Sequence, residues 1–163
     1  MKRLLIVWHS RTGAARAMAE AAARGASGEA GVETVMLAAD AAGPDDLLAA
    51  DGYLFACPEN LAALSGAMKE FFDRNYYPVL ERLNGRPYAM LIAAGSDGTG
   101  AQRQMARIAI GWRLKAIAEP LIVCTRAQAP DAILAPKTLP AADLARCGEL
   151  GAALAAGLSM GVF

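Results

Sequence analysis

The chain has 163 residues, which suits one domain with a substantial core. Its 16 lysine and arginine residues balance 16 aspartate and glutamate residues, which argues against nucleic acid or an anionic membrane as a partner. No apolar run approaches the ~20 residues of a membrane-spanning helix. We expect no signal peptide, because charged residues at the start lead directly into a strand pattern.

The three cysteines, Cys57, Cys124 and Cys147, are isolated from one another, and His9 is the single histidine. They lack the spacing of a zinc site, so we expect no metal centre. Reduced thiols, and therefore a cytoplasmic location, are the default expectation for such cysteines.

The first strand and helix contain the strongest pattern in the chain. An apolar run over residues 4–8 predicts a buried strand, and a helical pattern follows the polar residues 9–12 at once. Such a turn leaves the first N–H groups of the helix unpaired, which attracts an anion. Ser10 and Thr12 add hydroxyl groups, Arg11 adds a positive charge, and Gly13 permits close backbone approach. The pattern predicts a phosphate site.

The same residues also suit an ordinary βα turn with a Ser or Thr N-cap and no ligand. No lysine follows Gly13, which excludes a Walker loop, and the glycine-rich dinucleotide fingerprint is absent.

Strand and helix patterns alternate along the rest of the chain, and Ser65 is placed to cap the third helix. Further strands are predicted over residues 32–37, 52–56, 87–94 and 120–125. Helices are predicted over 47–50, 66–75, 102–118 and 141–158. Connections fall at 57–64, 95–100 and 126–140.

This alternation predicts a single α/β domain over residues 1–163, with an open parallel sheet covered by helices on both faces. Ligands of such sheets bind beyond the carboxyl ends of the strands. The loops at 9–15, 57–65 and 95–101 should meet there, and this convergence favours the phosphate site over the plain turn.

Three motifs together resemble the flavodoxin-like superfamily. Residues 10–20, SRTGAARAMAE, resemble its FMN-phosphate loop and first helix. Residues 58–60 and 64–74, PEN and LSGAMKEFFDR, are similar to NAD(P)H-dependent FMN reductases and to quinone reductases of the tryptophan-repressor-binding-protein group. Residues 95–102, GSDGTGAQ, resemble the ring loop of that group.

The resemblance implies a flavodoxin-like three-layer sandwich with a five-stranded parallel sheet of order 2-1-3-4-5. It also implies FMN as cofactor and NAD(P)H as co-substrate, with a quinone, flavin or similar acceptor. The flavin would carry the redox step, so we expect no catalytic side chains. The implied phosphate contacts are Ser10, Arg11, Thr12, Gly13, Ala14 and Ala15. The implied ring contacts are Pro58, Glu59, Asn60 and Leu61 on one side and Ser96, Asp97, Gly98, Thr99 and Gly100 on the other. N–H groups of the second loop would stabilise negative charge at the pyrimidine edge of the ring.

The chain departs from the family pattern at three positions. Ala14 and Ala15 lack the polar side chains of relatives, and Glu59 stands where a threonine is usual. Two alternatives therefore stand beside the oxidoreductase: a flavodoxin-type electron carrier, and a flavin-free interaction module on the same fold.

The predicted helix at 102–118 is apolar over most of its circumference. Met105, Ile108, Ala109, Trp112 and Ala116 share one stripe, and Ile110, Leu114 and Ile117 extend onto the other side. Because such a helix is usually buried twice, we expect a homo-oligomer, a dimer or tetramer, through this surface.

Overall fold

A computed structural model describes the whole chain, Met1–Phe163. Its strands are β1 (Lys2–Trp8), β2 (Val32–Ala38), β3 (Gly52–Asn60), β4 (Ala63–Leu64), β5 (Pro87–Ala94), β6 (Lys115–Ala116) and β7 (Leu121–Cys124). Its helices are α1 (Ala14–Ala26), α2 (Pro44–Ala49), α3 (Gly66–Asn75), α4 (Thr99–Gly111), α5 (Pro130–Leu134) and α6 (Ala141–Met160). None of these helices is both long enough and apolar enough to span a membrane.

The main sheet is parallel and confirms the predicted order. β2, β1, β3 and β5 lie side by side, and the fifth position is shared by two short strands. β6 pairs with Pro87 and Tyr88 at the start of β5, whereas β7 pairs with residues 91–94 at its end. The fifth position of the predicted sheet is therefore occupied, but by two short strands instead of one.

Successive residues of the central strands enter two separate cores, as the alternation of side chains in a strand requires. On one face, Leu4 and Ile6 of β1 pack with the alanine-rich helix α1 and with α6. On the other face, Leu5 and Val7 pack in a cluster with aromatic residues from β3, α3 and the end of α4. Those aromatic residues include Phe55, Phe71, Phe72 and Trp112. The helices on both faces were predicted from the alternating pattern.

The third strand is longer than predicted, and residues 57–64 are not a simple loop. Cys57 and Pro58 continue the parallel pairing with β5. Glu59 and Asn60 then pair in antiparallel register with Leu64 and Ala63 of β4. The polar and proline residues at 58–60 ended the apolar pattern in the sequence, but the backbone stays extended because β5 and β4 supply its hydrogen-bond partners.

The fourth helix begins and ends earlier than predicted, at Thr99 and Gly111 instead of 102 and 118. Gly98 adopts φ +91° and starts the helix. At the other end Arg113 adopts φ +55°, and the chain returns to the sheet as β6. Pairing with β5 therefore overrides the apolar spacing that extended the predicted helix.

This shorter helix changes the basis of the predicted oligomer surface. Leu114 lies beyond α4 and is buried in the core, and Ala116 lies on β6. Ile110 is the large apolar side chain of α4 that stays exposed, at 70%. The second apolar stripe is therefore not a helix face, and the homo-oligomer stays a prediction.

Candidate functional site

The turn between β1 and α1 lies at the carboxyl edge of the sheet, next to the end of β3. Gly13 is the N-cap of α1 and has φ +101°, a conformation that favours glycine. The N–H group of Gly13 donates to Ser10 Oγ at 3.0 Å, which folds the turn back on itself. The turn thus presents its backbone toward the neighbouring strand ends.

Several backbone donors of this turn have no acceptor in the protein. They include the N–H groups of Arg11, Thr12, Ala14 and Ala15. Ala14 and Ala15 are only 5% and 1% exposed. Buried N–H groups without partners are rare, so this group of donors suits an anion such as a phosphate. The alanine side chains that replace polar residues here do not remove these donors.

A connection from the far end of the chain covers the turn. We call residues 126–140 the strap. At its start, the N–H groups of Thr125 and Arg126 donate to Ala94 and Gly95, at 2.8 and 2.9 Å. Near its end, the N–H group of Lys137 donates to the carbonyl of Thr12 at 2.8 Å. The strap is therefore tied both to the end of β5 and to the β1–α1 turn.

These segments border a cleft that is open to solvent. Its floor contains the small residues Ala93, Ala94 and Gly95 at the end of β5. The remaining lining residues are Ser10, Arg11, Thr12, Ala14, Ala15, Pro58, Glu59, Asn60, Thr125, Ala127, Ile133 and Lys137. A cleft of this kind, at the carboxyl edge of a parallel sheet, is the usual ligand position.

Glu59 joins the end of β3 to the start of α4. Its carboxylate accepts the N–H groups of Gly98 and Gly100, both at 2.9 Å, and that of Ala101 at 3.2 Å. An acidic side chain at this position satisfies donors that a helix N-terminus otherwise leaves free. The N–H groups of Gly98 and Gly100 therefore already have an acceptor in the protein, and their contact with a flavin ring stays a prediction.

The β3–β4 hairpin turns through two non-glycine residues with positive φ. Leu61 and Ala62 have φ +52° and +62°, which is typical of a two-residue hairpin turn but unfavourable for side chains with a Cβ. The hairpin is held against α4, because Leu64 N–H donates to Gln104 Oε1 at 2.8 Å. Leu61 is fully exposed.

His9 and Ser65 contact each other beside the cleft. Ser65 is at the N-cap position of α3 as predicted, but its side chain makes no capping bond. Instead Ser65 Oγ lies 2.8 Å from His9 Nδ1. Burial lowers the pKa of His9, the charge of Arg11 lowers it further, and Asp40 raises it.

Comparison with known proteins places this fold and cleft in a family. The family model of NADPH-dependent FMN reductases matches residues 1–123, which include β1 to β6, most of β7 and all three loops at the carboxyl edge. The chain belongs to the NADPH-dependent FMN reductase family. The resemblance inferred from the three motifs is thereby confirmed.

Individual relatives of this family member have different functions. A flavodoxin from Aquifex aeolicus is 32% identical over 61% of this chain and 54% of its own. An NAD(P)H dehydrogenase (quinone) from Acidithiobacillus ferrooxidans is 34% identical over 45% of this chain and 47% of its own. The matched segments therefore span about half the length of these relatives.

A solved structure extends the similarity of fold to almost the whole chain. The flavodoxin, WrbA-like protein from Agrobacterium tumefaciens aligns with a TM-score of 0.71 at 20% identity. The alignment covers 98% of this chain and 99% of that protein. The predicted flavodoxin-like fold is confirmed.

The structure brings most, but not all, predicted site residues of this reductase family member to one cleft. Ser10, Arg11, Thr12, Ala14 and Ala15 line it at one end, and Pro58, Glu59 and Asn60 line it at the other. The remaining predicted residues, Gly13, Leu61, Ser96, Asp97, Gly98, Thr99 and Gly100, do not line this cleft. Gly95, the residue immediately before the 96–100 loop, does line the cleft.

The strap and the floor of the cleft were not predicted from the sequence. Four strap-side residues of the lining belong to no motif. They follow the matched part of the chain and are Thr125, Ala127, Ile133 and Lys137. The proline-containing composition of 126–140 indicated only a connection. Nothing in that composition shows that the connection crosses the carboxyl edge of the sheet.

Two features of the cleft suit FMN. The unpaired N–H groups of the β1–α1 turn and the cationic side chains of Arg11 and Lys137 suit a phosphate. Small residues on the floor leave space between the strand ends. The cysteines do not take part, since Cys57 is buried and burial raises the pKa of its thiol to about 12.

Proposed function

We propose that this chain is an FMN-binding oxidoreductase that passes reducing equivalents from NAD(P)H to a quinone, a flavin or a similar acceptor. The observation that carries the proposal is the set of unpaired N–H groups in the β1–α1 turn, beside Arg11 and Lys137. These donors match a phosphate monoester, and the cleft continues from them toward the ends of β3 and β5. Membership of the reductase family supports the same chemistry.

The protein residues would bind and orient the cofactor, and FMN would supply the hydride and electron transfer chemistry. The turn at 10–15 would hold the phosphate. Pro58, Asn60 and the floor at 93–95 would border the ring. Glu59 would act on the ring indirectly, because its carboxylate holds the 96–100 loop against the end of β3. The N–H groups of Ser96 and Asp97, which have no acceptor in the protein, are the donors of that loop that stay free.

A flavodoxin-type electron carrier is the second candidate, and the Aquifex aeolicus relative favours it. The balanced charge of the chain argues against it, because carriers that dock on redox partners usually have a strong patch of one sign. A flavin-free interaction module is the third candidate, supported by the alanines at 14 and 15.

Steady-state oxidation of NADH and NADPH by the FMN-loaded protein, with a quinone as acceptor, separates these candidates. We expect many nicotinamide equivalents to be oxidised per FMN, and a double variant Arg11→Ala, Thr12→Ala to lose the activity at limiting FMN. An FMN-loaded protein that exchanges electrons with a carrier protein but does not turn over NAD(P)H would indicate the flavodoxin function. Failure to take up FMN would indicate the flavin-free module.

We further propose a cytoplasmic homo-oligomer, a dimer or tetramer, and the three cysteines without disulfide partners agree with a reducing compartment. The exposed side chain of Ile110 on α4 is the remaining support for a contact on that helix. Light scattering after size exclusion should give a mass above that of one chain. A monomer at micromolar concentration would contradict this part.

A further inference from the structure

Helices α2, α3 and α4 cover the same face of the sheet, because all three contribute residues to the aromatic core. The contacts of α3 place it in the middle. Arg74 of α3 donates to the carbonyl of Ala42, just before α2, at 2.8 Å. Trp112 at the end of α4 donates from Nε1 to the carbonyl of Tyr76, just after α3, at 3.1 Å. The order of the helices across this face is therefore α2, α3, α4.

The two outer helices of this face lie in segments of opposite charge. Residues 25–68, which include α2, contain seven acidic residues and no lysine or arginine. Residues 99–115, which include α4, contain four basic residues and no acidic residue. The middle helix is neutral, because its two basic residues form ion pairs with acidic residues four positions away. The total charge of the chain is balanced, but this face has an acidic side and a basic side.

Exposed charges on both sides have no partner within the chain. Asp40 and Asp45, before and within α2, are exposed, and so are Arg103 and Arg107 on α4. None of the four forms an ion pair. Two like charges four positions apart weaken an isolated helix, so the two arginines do not stabilise α4 by themselves. Ile110, which is also exposed, lies on the same stripe of α4 one turn further on.

We propose that a second copy of this chain covers this face in a two-fold dimer, with α4 of each copy against the α2 side of the other. The inference rests on the proposed homo-oligomer and specifies its interface. A two-fold axis parallel to the strands places each α4 on the partner's acidic side and α3 on α3. An axis across the strands would instead place α4 on α4 and bring the arginines of the two copies together. Charge complementarity therefore favours the first arrangement, which is closed and self-complementary.

The side chains of this face suit a protein partner with the chemistry of this chain. Tyr77, which follows α3, and Ile110 on α4 are large and exposed, and they accompany the arginines. Aromatic, aliphatic and arginine side chains together are typical of protein interfaces. The carboxylates that Arg103 and Arg107 lack are present on the α2 side of the same chain, so a second copy supplies them.

Reversal of the charges tests this contact. The double variant Arg103→Glu, Arg107→Glu makes both sides acidic, and Asp40→Lys, Asp45→Lys makes both sides basic. Like charges would then oppose each other, so we expect the dimer dissociation constant of each variant to rise by about 100-fold or more. An equimolar mixture of the two variants should form dimers again, since both of its contacts join opposite charges. Sedimentation equilibrium measures the mass of each protein and of the mixture.

The matched control is Arg24→Glu, Arg146→Glu, which changes the net charge as much as reversal of the two α4 arginines. Both residues are exposed, but α1 and α6 cover the opposite face of the sheet, so this variant should stay dimeric. Circular dichroism checks that each variant is folded. Reversal variants that stay dimeric, or a mixture that stays monomeric, would overturn the inference alone. A monomeric wild type would refute the proposed homo-oligomer as well, and would leave the arginines of α4 to a different, acidic partner.

Discussion

Glu59 is the side chain that links the hairpin after β3 to the helix after β5. Its three N–H donors belong to Gly98, Gly100 and Ala101. Glu59→Ala leaves these donors without their acceptor, so we expect the free energy of unfolding of the apo-protein to fall by about 1–3 kcal/mol. Glu59→Gln keeps one acceptor oxygen, so its free energy of unfolding should lie between those of Glu59→Ala and the wild type. Urea denaturation measures all three.

Glu149→Ala is the matched control, since Glu149 is exposed on α6 and makes no hydrogen bond or ion pair. Its free energy of unfolding should stay within about 0.5 kcal/mol of the wild type. A Glu59→Ala protein as stable as this control would show that the carboxylate does not hold the loop.

His9 gives the fold a pH dependence near neutrality. Burial is the main reason that its pKa lies below the ordinary value of 6.5. Below that pH the unfolded chain binds more protons than the folded chain, so the free energy of unfolding should decrease as pH falls from about 7 to 5. His9→Gln should reduce this slope, which urea denaturation at a series of pH values measures. An identical slope in the variant would contradict the assignment to His9, the single histidine of the chain.

Single residues of the site were predictable where local chemistry was sufficient. Ser10, Thr12 and Gly13 are polar or flexible residues between a strand and a helix, and that order predicted a phosphate turn once three loops were expected to meet at the same sheet edge. The resemblance assigned Glu59 to the ring side, and nothing in the local sequence shows that its hydrogen-bond partners lie about 40 residues further on. Lys137 was missed for the same reason, because its role depends on where the strap crosses the sheet edge.

Helices α1 and α6 pack closely enough to depend on the absence of side chains. A Cβ at Gly151 of α6 would lie 2.0 Å from the carbonyl oxygen of Ala22 on α1. We therefore expect Gly151→Ala to push the helices apart and to lower the free energy of unfolding by about 1–3 kcal/mol. Thermal or urea denaturation provides the measurement.

Gly148 of the same helix offers a matched control. A Cβ there would lie 3.5 Å from the carbonyl oxygen of Ala21, which is ordinary contact. Gly148→Ala should be neutral or stabilise the helix by about 0.5–1 kcal/mol, because alanine favours a helix. If the two alanine variants had equal stability, close packing of α1 on α6 would not be a constraint.

The ends of elements were harder to predict than their existence. The apolar residues Leu114 and Ile117 continued the spacing of α4, yet they reach the core from a chain segment that has already left the helix. Similarly, Pro58 and Glu59 ended the apolar pattern of β3, although pairing with β5 and β4 keeps both in extended backbone. In each case pairing with another strand decided the boundary.

The molecule as a whole was predictable because its pattern repeats at every βα unit. Buried strand, polar turn and helix alternate, so the parallel sheet and its ligand edge follow from the connection rules for such units. The wall that closes the cleft did not follow, since the strap has neither a strand pattern nor a motif. The fold therefore predicted the position of the cleft, and the strap forms one of its walls.

The central claim is that the cleft between the β1–α1 turn, the end of β3 and the strap binds FMN through its phosphate. Titration of the apo-protein with FMN, followed by fluorescence quenching, tests it most directly, with the Arg11→Ala, Thr12→Ala protein measured in parallel. We predict saturation at one FMN per chain for the wild type and weaker binding for the variant. Absence of quenching at a large excess of FMN, or equal binding by both proteins, would contradict the account.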